Sequence, residues 1–405
     1  MRDRLPFVFI LITLLLDAMG IGLILPVMPD LLREITGEDL SRAALWGGVL
    51  NTVFAVMQFL CGPALGGLSD RFGRRPVLLV SLAIMAADYV VMALAGSIWL
   101  LLAARVVGGI TAASHATAAA YIADISAPDK KAANFGLIGA AFGIGFILGP
   151  VIGGLLAEFG TRAPFWAAAA LAAANLVFGL VVLPETLKPE NRRPFLLARA
   201  NPFGALRAIG RLPGLKPSLI VYAMYEFSQV AYPAVWAYFG ATRFGWSPGM
   251  IGLSLAIFGI SFAIMQGGLI RLILPRLGEW GTVAFGLCAN LCIFLVLTFI
   301  EDGRLALALT PLTALGACVV PPLQGIMSRA TPPDAQGELQ GLLQSLRSLA
   351  MIAGPVTFTA IFFAFTAPGA DPFLPGAPFL VSAAIMAFCG GLLVALRAAR
   401  GRLAA

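Results

Sequence analysis

The chain has 405 residues, 60% of them hydrophobic and 12% charged, with a formal net charge of +7 and a mean hydropathy of +0.92. A soluble domain is roughly 25% charged, so this composition excludes an ordinary soluble globular protein. The basic residues sit in short loops between apolar runs, which sets nucleic-acid binding aside. Five cysteines (Cys61, Cys288, Cys292, Cys318 and Cys389) lie within apolar runs, with no CxxC pair or His/Cys cluster to hold zinc or frame disulfides.

A membrane-spanning helix takes about 20 mostly apolar residues, and nearly the whole chain divides into such units. The first, at 6–29, follows Arg2 and Arg4 as a secretory leader would. Asp17 interrupts it and no small-residue cleavage site follows, so it reads as a retained helix. Spans at 45–67 and 76–95 flank the polar stretch GGLSDRFGRRPV (Gly66–Val77), and further spans follow at 98–124, 134–157 and 164–184. A basic, proline-punctuated segment, 185–216, separates these six from six more at 217–241, 248–274, 281–300, 304–329, 337–364 and 376–397. The expected fold is all-α and integral to the membrane. Two six-helix bundles, residues 1–184 and 217–405, are joined by a cytoplasmic linker at 185–216.

Orientation follows from the placement of Lys and Arg. With the N-terminus inside, only five of the 27 fall in outside loops: Arg33, Arg42, Arg162, Arg243 and Arg304. Arg105 and Arg347 lie within spans, the other 20 are cytoplasmic, and an even number of spans puts both termini there. The halves echo each other, AVMQ (Ala55–Gln58) as AIMQ (Ala263–Gln266) and ILGP (Ile147–Pro150) as IAGP (Ile352–Pro355), at offsets of 208 and 205 residues. Repeated halves enclosing a site near the bilayer midplane are a transporter architecture. No GxxxxGK[ST] phosphate loop occurs, and GIGFILG (Gly143–Gly149) lies in a span rather than after a strand. Neither HExxH nor GxSxG occurs, so the chain is not expected to be an enzyme, and uphill transport would draw on an ion gradient.

Ionisable residues inside spans are costly and read by default as functional. Here they are Asp17, Asp88, Arg105, His115, Glu226 and Arg347, joined by the amides Gln229, Gln266, Asn290 and Gln324. Asp88 and His115 also fit a bland reading, as hydrogen-bonding groups between helices. Asp17 and Glu226 stand 209 residues apart, and so do His115 and Gln324. Glu226 and Arg347 each lie about ten residues into their helices, roughly 15 Å deep at 1.5 Å per residue, so an ion pair between them is expected. Aromatic residues Phe142, Tyr225, Phe227, Tyr232, Trp236 and Phe258 would accommodate an amphiphilic substrate, or simply face lipid.

The polar stretch has a gating reading. Asp70 at the cytoplasmic surface, beside Arg71, Arg74 and Arg75 and near Asp124, would latch the halves against the helix start near Gly337, where unsatisfied N–H groups attract an anion. A merely orienting basic loop would explain the arginines but not Asp70. In GFILGPVIGG (Gly145–Gly154) small residues at four-residue spacing let helices approach and Pro150 permits a bend. Gly149 and Pro150 are therefore assigned to packing and gating.

GGLSDRFGRRPV resembles the signature loop of the major facilitator superfamily. The likeness extends through LLDAMGIGLILPVMPDLLRE (Leu15–Glu34), ARVVGGITAA (Ala104–Ala113), AAAYIAD (Ala118–Asp124), GFILGPVIGG, RFGW (Arg243–Trp246) and LQGLLQSL (Leu339–Leu346). Together these resemble the tetracycline/proton antiporters over almost the full length. The resemblance implies proton-coupled efflux of an amphiphilic, drug-like compound across the inner membrane by alternating access. Asp17, Arg105, His115, Glu226 and Arg347 would couple protons, and Phe142, Tyr225, Gln229, Trp236, Asn290 and Gln324 would bind substrate. The protein is expected to act as a monomer in the lipid bilayer, without cofactor, metal site or nucleic acid; a tetracycline would bring its own divalent metal. The family carries a His in helix 8 and an Asp in helix 9 where this chain has Phe262 and Asn290, so tetracycline itself stays open. The alternatives are export or symport of an endogenous metabolite, and a nontransporting receptor or membrane enzyme.

Overall fold

The computed structural model describes residues 5–112, 114–126, 131–192, 195, 201–204 and 214–404; for residues 114–116, 131–133, 135, 191 and 396–404 it describes the backbone alone. Among the described residues there are helices and no strands. In chain order they are α1 (Leu5–Ile24), α2 (Met28–Thr36), α3 (Leu40–Phe72), α4 (Arg74–Leu94), α5 (Ile98–Thr111), α6 (Ser114–Ile125), α7 (Lys131–Leu156) and α8 (Ala163–Val182). After the linker come α9 (Lys216–Gln229), α10 (Ala231–Phe244), α11 (Pro248–Ile264), α12 (Ile270–Phe299), α13 (Gly303–Thr313), α14 (Val320–Arg329), α15 (Gln336–Ala364) and α16 (Ala377–Ala404).

Several expected spans are not single unbroken helices. The span at 6–29 ends at Ile24, and α2 follows, with Pro29 in its first turn and Gly37 closing it in the left-handed conformation. The span at 98–124 is two helices, α5 and α6, and that at 217–241 is α9 and α10, meeting at Val230. The span at 304–329 is α13, a 3-10 turn at Ala314–Cys318, and α14, where Pro321 and Pro322 lack the N–H groups a continuous helix needs. Between α11 and α12 a π-helical turn at Met265–Leu269 replaces a clean end, and α12 itself breaks at Gly278 (φ +65°, ψ 176°). Nine helical stretches among the described residues are long and apolar enough to cross a membrane, with Pro248–Phe299 forming one of them.

The helices gather into two compact units. The first holds Met1–Glu38, Val53–Pro202 and Ser247–Ala256; the second holds Asp39–Thr52, Phe203–Trp246 and Ile257–Ala405.

In the first unit α7 lies along α1. Hydrocarbon solvent gives apolar helices no hydrophobic gain on meeting, so close contact through small residues has to hold them. Gly145, Gly149 and Gly153 lie against the backbone oxygens of Leu15, Met19 and Leu23, and a Cβ at any of the three would overlap α1. Gly22 answers from α1, opposite Pro150. The other side of this stretch meets the start of α11, with Gly154 against Pro248 and Gly252 against the Pro150 oxygen. Phe9, Leu14, Leu78, Leu82, Tyr121 and Ile122 form a buried core beside it.

In the second unit α9, α12, α15 and α16 pack together, burying Phe294, Phe358, Phe362 and Phe379. The first turns of α3 belong here, because Ser41 Oγ donates to Thr366 O at 2.8 Å and Thr52 Oγ1 to Ile352 O at 2.9 Å. Outward-facing Trp99, Val177 and Val181 in the first unit, and Ile264, Phe388 and Val394 in the second, suit a hydrocarbon surround rather than water.

Candidate functional site

Each unit contains its own acid–arginine pair, buried in the first and half-exposed in the second. In the first, Arg105 of α5 places Nη2 2.6 Å from Asp88 Oδ2 of α4, with side-chain exposures of 13% and 6%. The same guanidinium contacts Met92 Sδ and lies over the Phe54 ring, 5.3 Å from its centroid. Gly108, one turn beyond Arg105, leaves the space that Asp88 occupies. An unpaired Arg at the centre of a spanning helix costs about 2.5–3.5 kcal/mol on the insertion scale; Asp88 supplies the counter-charge. Asp17 stands one turn before Gly20, against which the Tyr89 hydroxyl packs, and Tyr89 feels the charges of Asp17, Arg105 and Asp88. The His115 side chain lies outside the described residues. Phe142, on α7, is half-buried in this unit.

In the second unit Arg347 Nε lies 3.7 Å from Glu226 Oε2, the expected ion pair. It is looser and wetter than the first pair, with Arg347 62% and Glu226 15% exposed. Tyr222, one turn before Glu226, lies beside the side chains of Glu226 and Gln324. One turn on, Tyr225 OH donates to Gly316 O at 2.8 Å and Gln229 Nε2 donates to Tyr225 OH at 3.2 Å. Gln266 Nε2 donates to Ala317 O at 3.1 Å. In the 3-10 turn between α13 and α14, Tyr225 and Gln266 donate to the backbone oxygens of Gly316, which also accepts the Val319 N–H at 3.1 Å, and Ala317. Asn290 is fully buried against Gly316, where a Cβ would collide with it.

Among the substrate candidates, Tyr225 and Trp236 are only 3% and 5% exposed. Trp236 is packed among Tyr232, Phe239, Trp246 and Phe379, so in this structure its ring belongs to an aromatic core rather than to an open surface. Gln229 and Gln324 keep partial exposure. Of the two positions where the resemblance implied His and Asp, Phe262 is 42% exposed and Asn290 is buried.

The loop residues converge at the end of the first unit where α3 gives way to α4. Gly73 (φ +109°) turns the chain in a conformation that favours glycine. Arg74 Nη1 lies 2.6 Å from Asp70 Oδ1 and its Nε 3.4 Å from Asp124 Oδ2; Nη1 also bonds Ser69 Oγ at 3.0 Å. Arg71 lies over the Phe72 ring, and Arg75 Nη2 donates to Leu180 O at 3.0 Å. The sequence reading missed Glu185, just past α8. Its carboxylate accepts the backbone N–H groups of Arg74 and Arg75 at 2.9 and 3.2 Å, capping the otherwise unsatisfied start of α4. Thr186 Oγ1 donates to Asp124 at 3.2 Å and closes the cluster. The only signal was an acid directly after a helix-ending proline, Pro184.

Broken helices with charged pairs inside an otherwise apolar, multi-pass bundle define a membrane transporter, not an enzyme. The chain belongs to the Major Facilitator Superfamily, whose pattern it matches over residues 10–355. It is 43% identical to the class C tetracycline resistance protein of Escherichia coli, covering 90% of this chain and 91% of that one. It is 40% identical to the class G tetracycline resistance protein of Vibrio anguillarum, covering 86% and 88%. Among solved structures it resembles the human organic anion transporter MFSD10, with a TM-score of 0.70 and 27% identity over 96% of this chain and 99% of that one.

Proposed function

We propose that this chain exports an amphiphilic, drug-sized compound across the inner membrane in exchange for protons, tetracyclines being the first candidates given the relatives at 40–43% identity. The observation that carries the reading is one acid–arginine pair within the helices of each unit, Asp88–Arg105 buried and Glu226–Arg347 open on its arginine side. An arginine stays charged at every working pH, so a proton arriving on the acid changes the net charge of the pair. Asp17, within electrostatic range of Tyr89 beside the first pair, belongs to the same circuit, and His115 is its remaining candidate. Glu226 takes the coupling role that the family gives to the positions held here by Phe262 and Asn290. In the second unit substrate would meet Gln229 and Gln324, on the scaffold of Tyr225, Trp236 and Asn290; Phe142 is the first unit's candidate. The protein works as a monomer without a cofactor, and a tetracycline would travel with a divalent metal of its own.

Inside-out membrane vesicles test this. Acidifying the lumen should drive accumulation of tetracycline with Mg2+, and adding substrate to a preformed gradient should release protons. Substrate movement indifferent to the gradient would overturn proton coupling. The 62% exposure of Arg347 favours a second reading, in which the substrate is an organic anion, the class carried by the human organic anion transporter MFSD10. Competition by amphiphilic carboxylates, but not by cations, would select it.

A further inference from the structure

The ion pair Glu279–Arg329 has no part in the transport reading, yet it repeats the loop geometry of the first unit. Gly73, Arg74 and Asp124 have counterparts 205 residues later in Gly278, Glu279 and Arg329, and Gly149–Pro150 recurs at the same offset as Gly354–Pro355. Gly73 and Gly278 both carry positive φ, +109° and +65°. Each is followed directly by the charged residue that opens the next helical stretch. In each unit that residue pairs with a charge at the end of another helix, Asp124 in α6 and Arg329 in α14. Gly325, one turn before Arg329, leaves the space over which Glu279 lies. The pairing recurs with its signs exchanged.

Helix electrostatics separate the two versions. An acid at a helix start and a cation at a helix end both suit the backbone dipoles, so Glu279 and Arg329 each sit where their charge is favoured. Arg74 and Asp124 sit where theirs are not, and the first unit compensates with Asp70 on the arginine and the Glu185 carboxylate on the N–H groups. The position 205 residues after Asp70 is Pro275; with an acid already opening the helix, no second acid is needed there.

We infer that Glu279 and Arg329 are a positioning pair, the charge-exchanged counterpart of Arg74 and Asp124, which fixes the break at Gly278 against the end of α14 and thereby sets the rate of the transport cycle. With Arg329 63% and Glu279 29% exposed, such a pair contributes little to stability; its role is to hold two helix ends in register.

The inference rests on the transport reading, and the experiment separates the two. In inside-out vesicles with tetracycline and Mg2+ as probe, Glu279→Arg and Arg329→Glu should each lower the maximal rate about fivefold or more, with apparent KM within twofold of the parent. The exchanged double variant should be faster than the slower single yet stay below the parent, because both exchanged charges then oppose the helix dipoles with no compensating acid beside them. The neutral Glu279→Gln and Arg329→Gln variants serve if a reversed charge prevents insertion, and should lower the rate by a smaller factor with the same unchanged KM. Parental rates in the single variants, or a double variant no faster than the slower single, would overturn the pair's role. If the parent itself moves no probe, the transport reading fails instead. The pairing is then read from melting in detergent, where reversing both charges must cost less than the sum of the two single reversals, and additive costs reject it.

Discussion

Arg105 and Asp88 meet at 2.6 Å across two helices of the first unit, and neither side chain is more than 13% exposed. A bare hydrocarbon surround would make either charge expensive. Together, with the Phe54 ring on the guanidinium face, they form a charge pair whose balance one proton can alter.

Removing one member of that pair strands the other. Asp88→Ala should lose about 3–5 kcal/mol, seen as a lower melting temperature in detergent and a smaller yield of inserted protein. Asp88→Ala/Arg105→Ala should be milder than Asp88→Ala alone. A double variant at least as unstable as the single would show that the pair is not what holds Arg105 in place.

Glu226 and Arg347 should behave differently, because 62% exposure of the arginine screens the interaction. Losing one partner is expected to cost about 0–1 kcal/mol, so Glu226→Gln should insert and bind substrate normally. Its transport rate should no longer vary with pH. A parental pH profile in this variant would move the coupling role to Asp17 and Asp88.

At the loop, Asp70→Asn keeps the size of the side chain and removes its charge from Arg74. Asp70 is 42% exposed, so stability should change by about 0–1 kcal/mol while transport falls at least tenfold. Near-parental transport at equal membrane level would refute gating by Asp70.

Gly149→Ala pushes a Cβ into the Met19 oxygen and Gly22 of α1. Overpacking of this kind costs about 1–3 kcal/mol, and both melting temperature and transport should drop. Gly139→Ala, on the same helix with open space around it, should be neutral or slightly stabilising, since alanine is the better helix former. Equal effects from the two substitutions would mean that close approach to α1 is not the reason for Gly149.

Much of this protein was legible in one dimension. Apolar runs of spanning length and the basic loops between them report the solvent directly, since each residue meets lipid or water on its own terms. The same is true of Asp17, Asp88, Arg105, Glu226 and Arg347, conspicuous because burying a charge is costly wherever it occurs. The major facilitator motifs carried the family, and equal depth from the helix starts brought Glu226 to Arg347. The tertiary structure alone decided partners that depend on how each helix is rotated about its axis. Asp88 became the counter-charge of Arg105 rather than a spare hydrogen-bonding group; Glu185 reached the open N–H groups of α4; and Tyr222 came to lie beside Glu226 and Gln324. The interruptions at Val230, Gly278 and Ala314–Cys318 escaped hydropathy for a related reason. An apolar residue is equally apolar inside a helix and at its break, and only packing shows which carbonyls of the break find side-chain donors such as Tyr225 and Gln266.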